Sequence, residues 1–443
     1  MPGHGELAKA DDEPDVDDEP DITDTPDPIY KPKGNVAMTR KHVLDGVKVL
    51  DFTHVLAGPT CTRLMVETGA DVIKVEAAPT GDMVRFMPAL KDGRSGYYIQ
   101  QNRGKKAICL NLRDKRAQEV VHKLVKDVDV VVENFTPGVM KRLNIDYETL
   151  SAINPDLIMC SISAFGQSGP LANLPGFDYI AQAYAGVIDM IGEENGSPYF
   201  PGLGMGDVST GAHAYGAITA ALFHRERGGS GQHLDIALLD CLFHCHEINV
   251  QGYDGSNGAL VPHRSGAHHF AVAPLGLFKG KEKYLVIIAI GGQWDNLLKV
   301  IGKEAFNDDP RFADNAGRTE HKQVLIDAIE AWLQTTSSDD EAVRILQENH
   351  VPVAPVLSVP EAMNHPHHIE RQTVRTVTDR AFGDLKVPGM PLRFSAFPEF
   401  LDLQAGFLGE HNAEVLGGIG YSEAEVKTLT AEGVLADEPV VGA

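Results

Sequence analysis

A strand–helix alternation that begins at residue 46 constrains the fold of this chain more than any other feature. An apolar strand is predicted over 47–52, a loop over 54–59, a short helix over 60–69 and a second strand over 71–76. The helix carries the chain back to the starting edge, so the two strands run parallel. The sequence therefore predicts a doubly wound α/β fold.

The same alternation continues to residue 239. Further strands are predicted at 107–112, 128–133, 156–163 and 234–239, and a helix at 115–126. Parallel strands are covered by helices on both faces, and ligands bind beyond the carboxyl ends of the strands. We therefore expect a Rossmann-like sheet with its binding site at that edge.

The pattern changes near residue 250. Two apolar strands, 274–279 and 284–290, are separated by a polar turn, which is a hairpin signal. Helices are predicted after them at 294–301, 321–335 and 340–349. This pattern predicts a smaller α+β domain inserted into the larger one.

At 443 residues the chain is long enough for two or three domains of roughly 150 residues each. We expect four segments: an acidic, disordered tail over 1–40, the first part of the large domain over 41–245, a linker and small domain over 246–359, and a return to the large domain over 360–443.

The charge balance excludes several partners. The formal net charge is −23, and residues 1–40 alone carry eleven acidic and four basic side chains. An acidic surface repels nucleic acid and anionic membranes, so we expect neither as a partner. There is no apolar run of about 18 residues and no apolar signal core, and the five cysteines are scattered. These features predict a cytoplasmic protein with reduced thiols.

The segment 202–211, GLGMGDVSTG, carries the strongest chemical signal. Alternating glycines lead to Asp207, and an apolar helix is predicted over 212–223. Glycine allows a bulky partner to approach, and a helix N-terminus holds a carboxylate ionised and in place. Such a carboxylate suits covalent catalysis. The alternative is that Asp207 is only a helix N-cap.

Other chemistries do not fit the sequence. Asp207 replaces the third glycine of a dinucleotide fingerprint, and the chain has no nucleophile elbow and no P-loop. Cys241, His244 and Cys245 share one helix face with apolar neighbours, which indicates buried helix residues rather than a zinc site. No metal site is expected.

Six collinear motifs resemble those of the family III CoA transferases. They are GVKVLDFTHVLAGP at 46–59, GADVIKVE at 69–76, NRGKK at 102–106, VENFTPG at 132–138, GQSGP at 166–170 and GD at 206–207. The resemblance implies that Asp207 is the nucleophile, that an aspartyl-CoA thioester forms on it, and that CoA and acyl-CoA are substrates with no tightly bound cofactor. It also implies an interlocked dimer, either of identical chains or with a paralogous subunit.

The resemblance further implies a CoA site. Its residues lie in three loops and one helix: Val55, Leu56, Ala57, Leu110, Asn111, Leu112, Arg113, Asn134, Phe135 and Arg142. An arginine suits a phosphate because its planar guanidinium binds two oxygens at once. Two departures concern the adenine end: Ala77 follows Glu76 where many relatives carry arginine, and Leu56 replaces a common glutamine or arginine.

The substrate stays open between several acids. The resemblance favours succinyl-CoA as donor and a dicarboxylate such as malate, citramalate, mesaconate or itaconate as acceptor, with benzylsuccinate as an alternative. The short segment 291–294 replaces the long glycine loop of the oxalate enzymes. A second carboxylate needs a cationic partner, for which Arg85, Arg94, Arg103 and His54 are the candidates, although each is by default a surface or structural residue.

A 2-methylacyl-CoA racemase of the same fold is the other alternative. Those enzymes carry a histidine immediately before the aspartate that corresponds to Asp178. This chain has Phe177 there, and phenylalanine cannot transfer a proton.

Overall fold

The computed structural model describes residues 41–87 and 90–439. The predicted acidic tail therefore lies outside the described residues. The strands are β1 Lys48–Asp51, β2 Asp71–Ala77, β3 Leu90–Lys91, β4 Arg94–Ser95, β5 Lys106–Leu110, β6 Val130–Glu133, β7 Ile158–Ser163, β8 Gln232–Ala237, β9 Leu275–Lys279, β10 Tyr284–Ile288, β11 Val353–Pro355, β12 Val374–Asp379 and β13 Gly383–Pro388.

The helices cover both faces of the main sheet and much of the rest of the chain. They are α1 Ala57–Glu67, α2 Gly96–Asn102, α3 Lys115–Leu124, α4 Val139–Arg142, α5 Tyr147–Ile153, α6 Asp178–Tyr184, α7 Met205–Glu226, α8 Leu238–Phe243, α9 Asn249–Gly255, α10 Gln293–Ile301, α11 Asn315–Glu320, α12 Lys322–Leu333, α13 Asp339–Glu348, α14 Val359–Asn364, α15 Pro366–Glu370, α16 Asn412–Gly418 and α17 Glu423–Ala431. No helix in the described part of the chain is long and apolar enough to cross a membrane.

Six parallel strands form the main sheet in the order β5-β2-β1-β6-β7-β8. One apolar core packs α3, α5, α16 and α17 against one face, and a second core packs α1, α7 and α8 against the other. The predicted parallel sheet with helices on both faces is therefore confirmed. The order of the strands reverses at β1: β2 and β5 lie on one side of it, and β6, β7 and β8 lie on the other. A crevice opens between the two central strands at such a point.

The predicted hairpin of the small α+β region is also present. Strands β9 and β10 pair antiparallel, β11 joins β10, and α10, α12 and α13 close a separate apolar core around them. The division of the chain into an inserted and a surrounding domain stays a prediction.

The region after residue 360 contains an element that the sequence pattern missed. Strands β12 and β13 form a two-stranded antiparallel sheet that packs near α2. Farther along, α16 and α17 return to the core of the main sheet, and Ser422 begins α17 with a capping box.

Candidate active site

A cavity of about 300 Å³ lies at the carboxyl edge of the main sheet, between the loops that follow β1 and β6. This is the place where the strand order reverses, and open α/β sheets bind their ligands there. Its walls come from the loops after β1, β6 and β7, from the segment before α6 and from the start of α7; they include His54, Val55, Leu56, Ala57, Asn134, Phe135, Ser163, Phe165, Phe177 and Asp207.

Asp207 enters this cavity from the first turn of α7. The helix begins at Met205 with Gly204 as its N-cap, so Asp207 is the third helical residue. The N-cap interpretation of Asp207 is therefore wrong. The helix also starts seven residues before the predicted boundary of 212, since Gly206 and Gly211 are helical despite their low helix propensity.

Asp178 has the capping role instead. Its Oδ2 accepts the Asp207 N–H at 2.8 Å, across 29 residues of sequence. Gln182 donates its amide to Asp178 Oδ1 and to the Leu203 carbonyl oxygen at 3.2 Å. The network fixes the start of α7 through backbone atoms and leaves the Asp207 side chain facing the cavity.

The glycines before Asp207 serve two different needs. Gly202 has a φ of +70°, which glycine adopts without steric cost. A Cβ on Gly206 would lie 2.9 Å from Asp178 Oδ1 and 2.9 Å from Leu242 Cδ1. Glycine at this second position therefore allows Asp178 to reach the helix end.

The protonation of Asp207 differs from the sequence expectation. Burial, together with the charge of Asp178, raises its pKa to about 7. Desolvation and the neighbouring carboxylate thus outweigh the helix N-terminus that was expected to hold Asp207 ionised. Burial and then the charge of Asp207 raise the pKa of Tyr97 to about 12. Tyr97 is a neighbour of this site that the sequence analysis missed.

The loop after β1 is held by an asparagine from the loop after β6. Asn134 Oδ1 accepts the His54 N–H at 2.9 Å, and Asn134 Nδ2 donates to the His54 carbonyl oxygen at 2.8 Å. The rings of His54 and Phe135 lie 5.4 Å apart. Two walls of the cavity are therefore tied together directly.

Two helices point their N-termini at the same cavity. Leu56 is the N-cap of α1, Ala57 is its first residue, and both line the cavity as Asp207 of α7 does. The first-turn N–H groups of a helix have no intrahelical partner and carry a partial positive charge. This arrangement can stabilise an oxyanion that forms next to Asp207.

Six of the eleven predicted site residues line the cavity: Val55, Leu56, Ala57, Asn134, Phe135 and Asp207. The other five do not. Leu110 is fully buried in the core, and Asn111, Leu112 and Arg113 follow β5 at the same edge of the sheet but beyond β2. Arg142 ends the short helix α4. A role for these five in binding stays a prediction.

The arginines that were candidates for a second carboxylate are used elsewhere. Arg85 pairs with Glu76 at 2.6 Å, Arg94 with Asp379 at 3.0 Å, and Arg103 with Glu67, and all six side chains are buried. These three expectations were wrong, since breaking a buried ion pair is costly.

Among the described cavity-lining residues, His54 is the one basic side chain. Burial lowers its pKa, more than the nearby Asp82 carboxylate raises it. His54 is therefore neutral at pH 7 and does not supply a fixed cation. The described residues 41–87 and 90–439 contain no group of three side chains placed to hold a metal ion.

The sequence and the structure both match known proteins. A profile described as CoA-transferase family III matches residues 44–412. The chain is 34% identical over 401 residues to a succinate–glutarate CoA-transferase of Agrobacterium fabrum, covering 88% of this chain and 97% of the relative. It is 35% identical over 390 residues to a succinyl-CoA:mesaconate CoA-transferase of Haloarcula marismortui, covering 85% and 96%.

A solved structure supports the same relationship. A CAIB/BAIF family protein from Brucella suis superposes with a TM-score of 0.73 at 33% identity, covering 85% of this chain and 99% of that one.

Proposed function

The chain belongs to CoA-transferase family III and is a CoA-transferase, and we propose that it moves CoA from succinyl-CoA to a dicarboxylic acid through a covalent intermediate on Asp207. The observation that carries this proposal is the placement of Asp207: a carboxylate with a raised pKa, in the first turn of α7, facing the cavity at the sheet reversal.

The chemistry consists of four acyl transfers. The Asp207 carboxylate attacks the thioester carbon of the donor, the C–S bond breaks, and a mixed anhydride and the CoA thiolate form. The thiolate then attacks the Asp207 carbonyl carbon, which releases the donor acid and leaves an aspartyl-CoA thioester. The acceptor carboxylate attacks this thioester and expels the thiolate, and the thiolate takes the acceptor acyl group and frees Asp207.

The geometry supports each of these steps. Both carbonyl carbons pass through tetrahedral oxyanions, and the first turn of α1 offers N–H groups at the cavity wall, whereas the Asp207 N–H is already donated to Asp178. The Asp178 and Gln182 network holds the α7 backbone while the side chain is acylated. CoA would lie along the carboxyl edge from Asn134 and Phe135 towards Arg113, so that arginines meet its phosphates.

The dicarboxylate acceptor is supported by the relatives. The Agrobacterium fabrum and Haloarcula marismortui enzymes are named for glutarate and mesaconate, and both names include a succinyl or succinate partner. A second carboxylate in the described cavity would be met by neutral donors such as His54 and Ser163, or by a cation from a second chain.

An acceptor screen tests the proposal. Succinyl-CoA is incubated with glutarate, mesaconate, itaconate, citramalate, malate or benzylsuccinate, and new CoA esters are measured by mass spectrometry. We expect the kcat/KM for one dicarboxylate to exceed that for the others by at least about tenfold, which is the discrimination that a single well-placed contact provides. Transfer from formyl-CoA to oxalate alone, with no use of succinyl-CoA, would contradict the proposal.

The racemase alternative makes an opposite prediction. Phe177 lines the cavity and is 73% exposed, so the position of the second base holds a ring without a transferable proton. We expect the protein, incubated with a 2-methylacyl-CoA in heavy water, to incorporate deuterium at Cα no faster than buffer. The Phe177→His variant provides the comparison, since it restores a base next to Asp178. Exchange by the unmodified protein at turnover-like rates would favour the racemase.

We also propose that the enzyme is a dimer, of identical chains or with a paralogous subunit. Several large apolar side chains are exposed in the single chain: Phe177, Tyr184, Phe200, Leu203 and Phe243. Phe177 lines the cavity, and the ring of Tyr184 lies 5.3 Å from that of Phe165, another cavity residue. Contiguous exposed apolar surface marks protein interfaces. Light scattering at decreasing concentration should give the mass of two chains throughout. A monomeric mass for the active enzyme would be incompatible with this assembly.

A further inference from the structure

The loop after β1 contains a residue in an unfavourable conformation. Val55 has a φ of +65°, a value that β-branched residues rarely adopt because their side chain then crowds the backbone. Val55 lines the cavity and directly precedes Leu56 and Ala57, where α1 begins. Strained residues persist only where the surrounding structure holds them, and they concentrate at functional sites.

The group that holds Val55 is the carboxylate of Asp82. Both carboxylate oxygens accept the Val55 N–H, each at 3.3 Å. Oδ1 also accepts the Val84 N–H at 3.2 Å, and Oδ2 accepts Lys74 Nζ at 3.1 Å. Asn134 fixes His54, the preceding residue, so Asn134 and Asp82 hold two successive positions of the loop.

Lys74 holds Thr53, the residue on the other side of His54. Its ammonium group is fully buried and donates to the Thr53 carbonyl oxygen at 2.7 Å as well as to Asp82. Burial alone would raise the pKa of Asp82, but Lys74 and the Val84 N–H outweigh it and hold that pKa below its ordinary value. Asp82 is therefore ionised throughout the physiological range.

The other buried charges near the pair have partners of their own. Asp51 of β1 and Lys105, which directly precedes β5, form an ion pair at 3.0 Å, and Glu76 of β2 pairs with Arg85 at 2.6 Å. Each of these buried cations thus faces a buried anion. The loss of one member would leave an uncompensated charge, which is costly in the core.

We propose that Asp82 is a positioning residue, which holds Val55 in its strained conformation and so keeps the Val55–Ala57 loop in the shape that binds CoA. This inference rests on the proposed function, which places CoA against that loop. Without the carboxylate, the loop relaxes towards ordinary φ values and the first turn of α1 leaves the cavity wall. In this role Asp82 contacts neither CoA nor the acid.

The test uses the Lys74→Met/Asp82→Ala variant of the full chain, in which no side-chain oxygen is left at position 82 to accept the Val55 N–H. Removing both charges leaves no unpaired ion in the core, whereas Asp82→Ala alone leaves Lys74 without its partner. We expect the Kd for CoA, measured by calorimetry, to rise at least about tenfold. A tenfold rise corresponds to a loop that adopts the binding conformation in about a tenth of the molecules. Amide hydrogen exchange should accelerate within 53–57 and stay unchanged in the strands of the main sheet.

Asp339→Ala is the matched control. Asp339 is also a buried carboxylate that fixes a loop, since it accepts the N–H groups of Lys281, Glu282 and Lys283 at 2.7 to 2.9 Å, but it lies in the small α+β region. Its variant should bind CoA as the wild type does. If the double variant matches the wild type in Kd and in exchange over 53–57, the positioning role is wrong and the proposed function stands. If the wild type itself binds no CoA, the proposed function fails.

Discussion

The Asp207→Asn variant should lose CoA transfer by at least about 10³-fold in kcat, on the scale seen when a covalent nucleophile is removed. Asparagine has nearly the same shape, but its amide does not form the mixed anhydride. The backbone contact with Asp178 uses the Asp207 N–H, so the helix start survives the substitution. CoA affinity and the thermal unfolding curve should therefore stay close to those of the wild type.

Asp295→Asn is the matched control for this substitution. Asp295 is likewise the third residue of its helix, α10, which also begins after a glycine N-cap. If a carboxylate affected activity only through its charge in the first turn of a helix, Asp207→Asn and Asp295→Asn would change kcat by similar factors. A fully active Asp207→Asn enzyme would show that the nucleophile has been misassigned.

The covalent state gives an independent readout of the same assignment. After incubation with donor acyl-CoA, hydroxylamine should attack the aspartyl thioester and leave a hydroxamate on the peptide that contains Asp207, with loss of activity. Without the donor, hydroxylamine should leave the enzyme active. A hydroxamate on Asp178 or Asp189 instead would identify a different carboxylate.

The sheet and the place of Asp207 at the start of a helix could be predicted from the sequence because both depend on local pattern. Apolar strands alternating with helices fix the parallel order, and the observed strands β1, β2 and β6 lie within about two residues of their predicted bounds. Asp207 was found through the glycines next to it. The cavity between the loops after β1 and β6 follows from the strand order alone.

The remaining features depend on contacts between distant residues. The cap on Asp207 comes from Asp178, 29 positions away, and no spacing rule connects the two. Arg85, Arg94 and Arg103 were candidates for binding a second carboxylate, but each meets a carboxylate of this chain that folding brings to it. The raised pKa of Asp207 has the same origin, because burial is a property of the folded chain.

Because the pKa of Asp207 is raised, kcat/KM should fall as the pH is lowered through 7. Asp207 reacts as the carboxylate, and its pKa in the free enzyme is about 7. As the pH falls through 7 the ionised fraction decreases, so kcat/KM for succinyl-CoA should drop about tenfold for each further pH unit. The distal carboxylate of the donor titrates near 4, about the value of a glutamate side chain, and so lies outside this window. The measurement is kcat/KM between pH 5 and 9 with the acceptor saturating.

The Asp178→Asn variant separates the two causes of the shift. Its amide oxygen still accepts the Asp207 N–H, while the charge that raises the pKa of Asp207 is gone. The pH at which kcat/KM begins to fall should therefore decrease, but it should stay above the ordinary pKa of aspartate because Asp207 is still buried.

The free energy of unfolding should also depend on the protonation of Asp207. The folded state binds the Asp207 proton more tightly than the unfolded chain, so stability falls as the pH rises towards 7, and Asp207→Asn removes this loss. A kcat/KM that stays flat from pH 8 down to pH 5 would mean that Asp207 is ionised throughout, and that neither burial nor Asp178 controls the nucleophile.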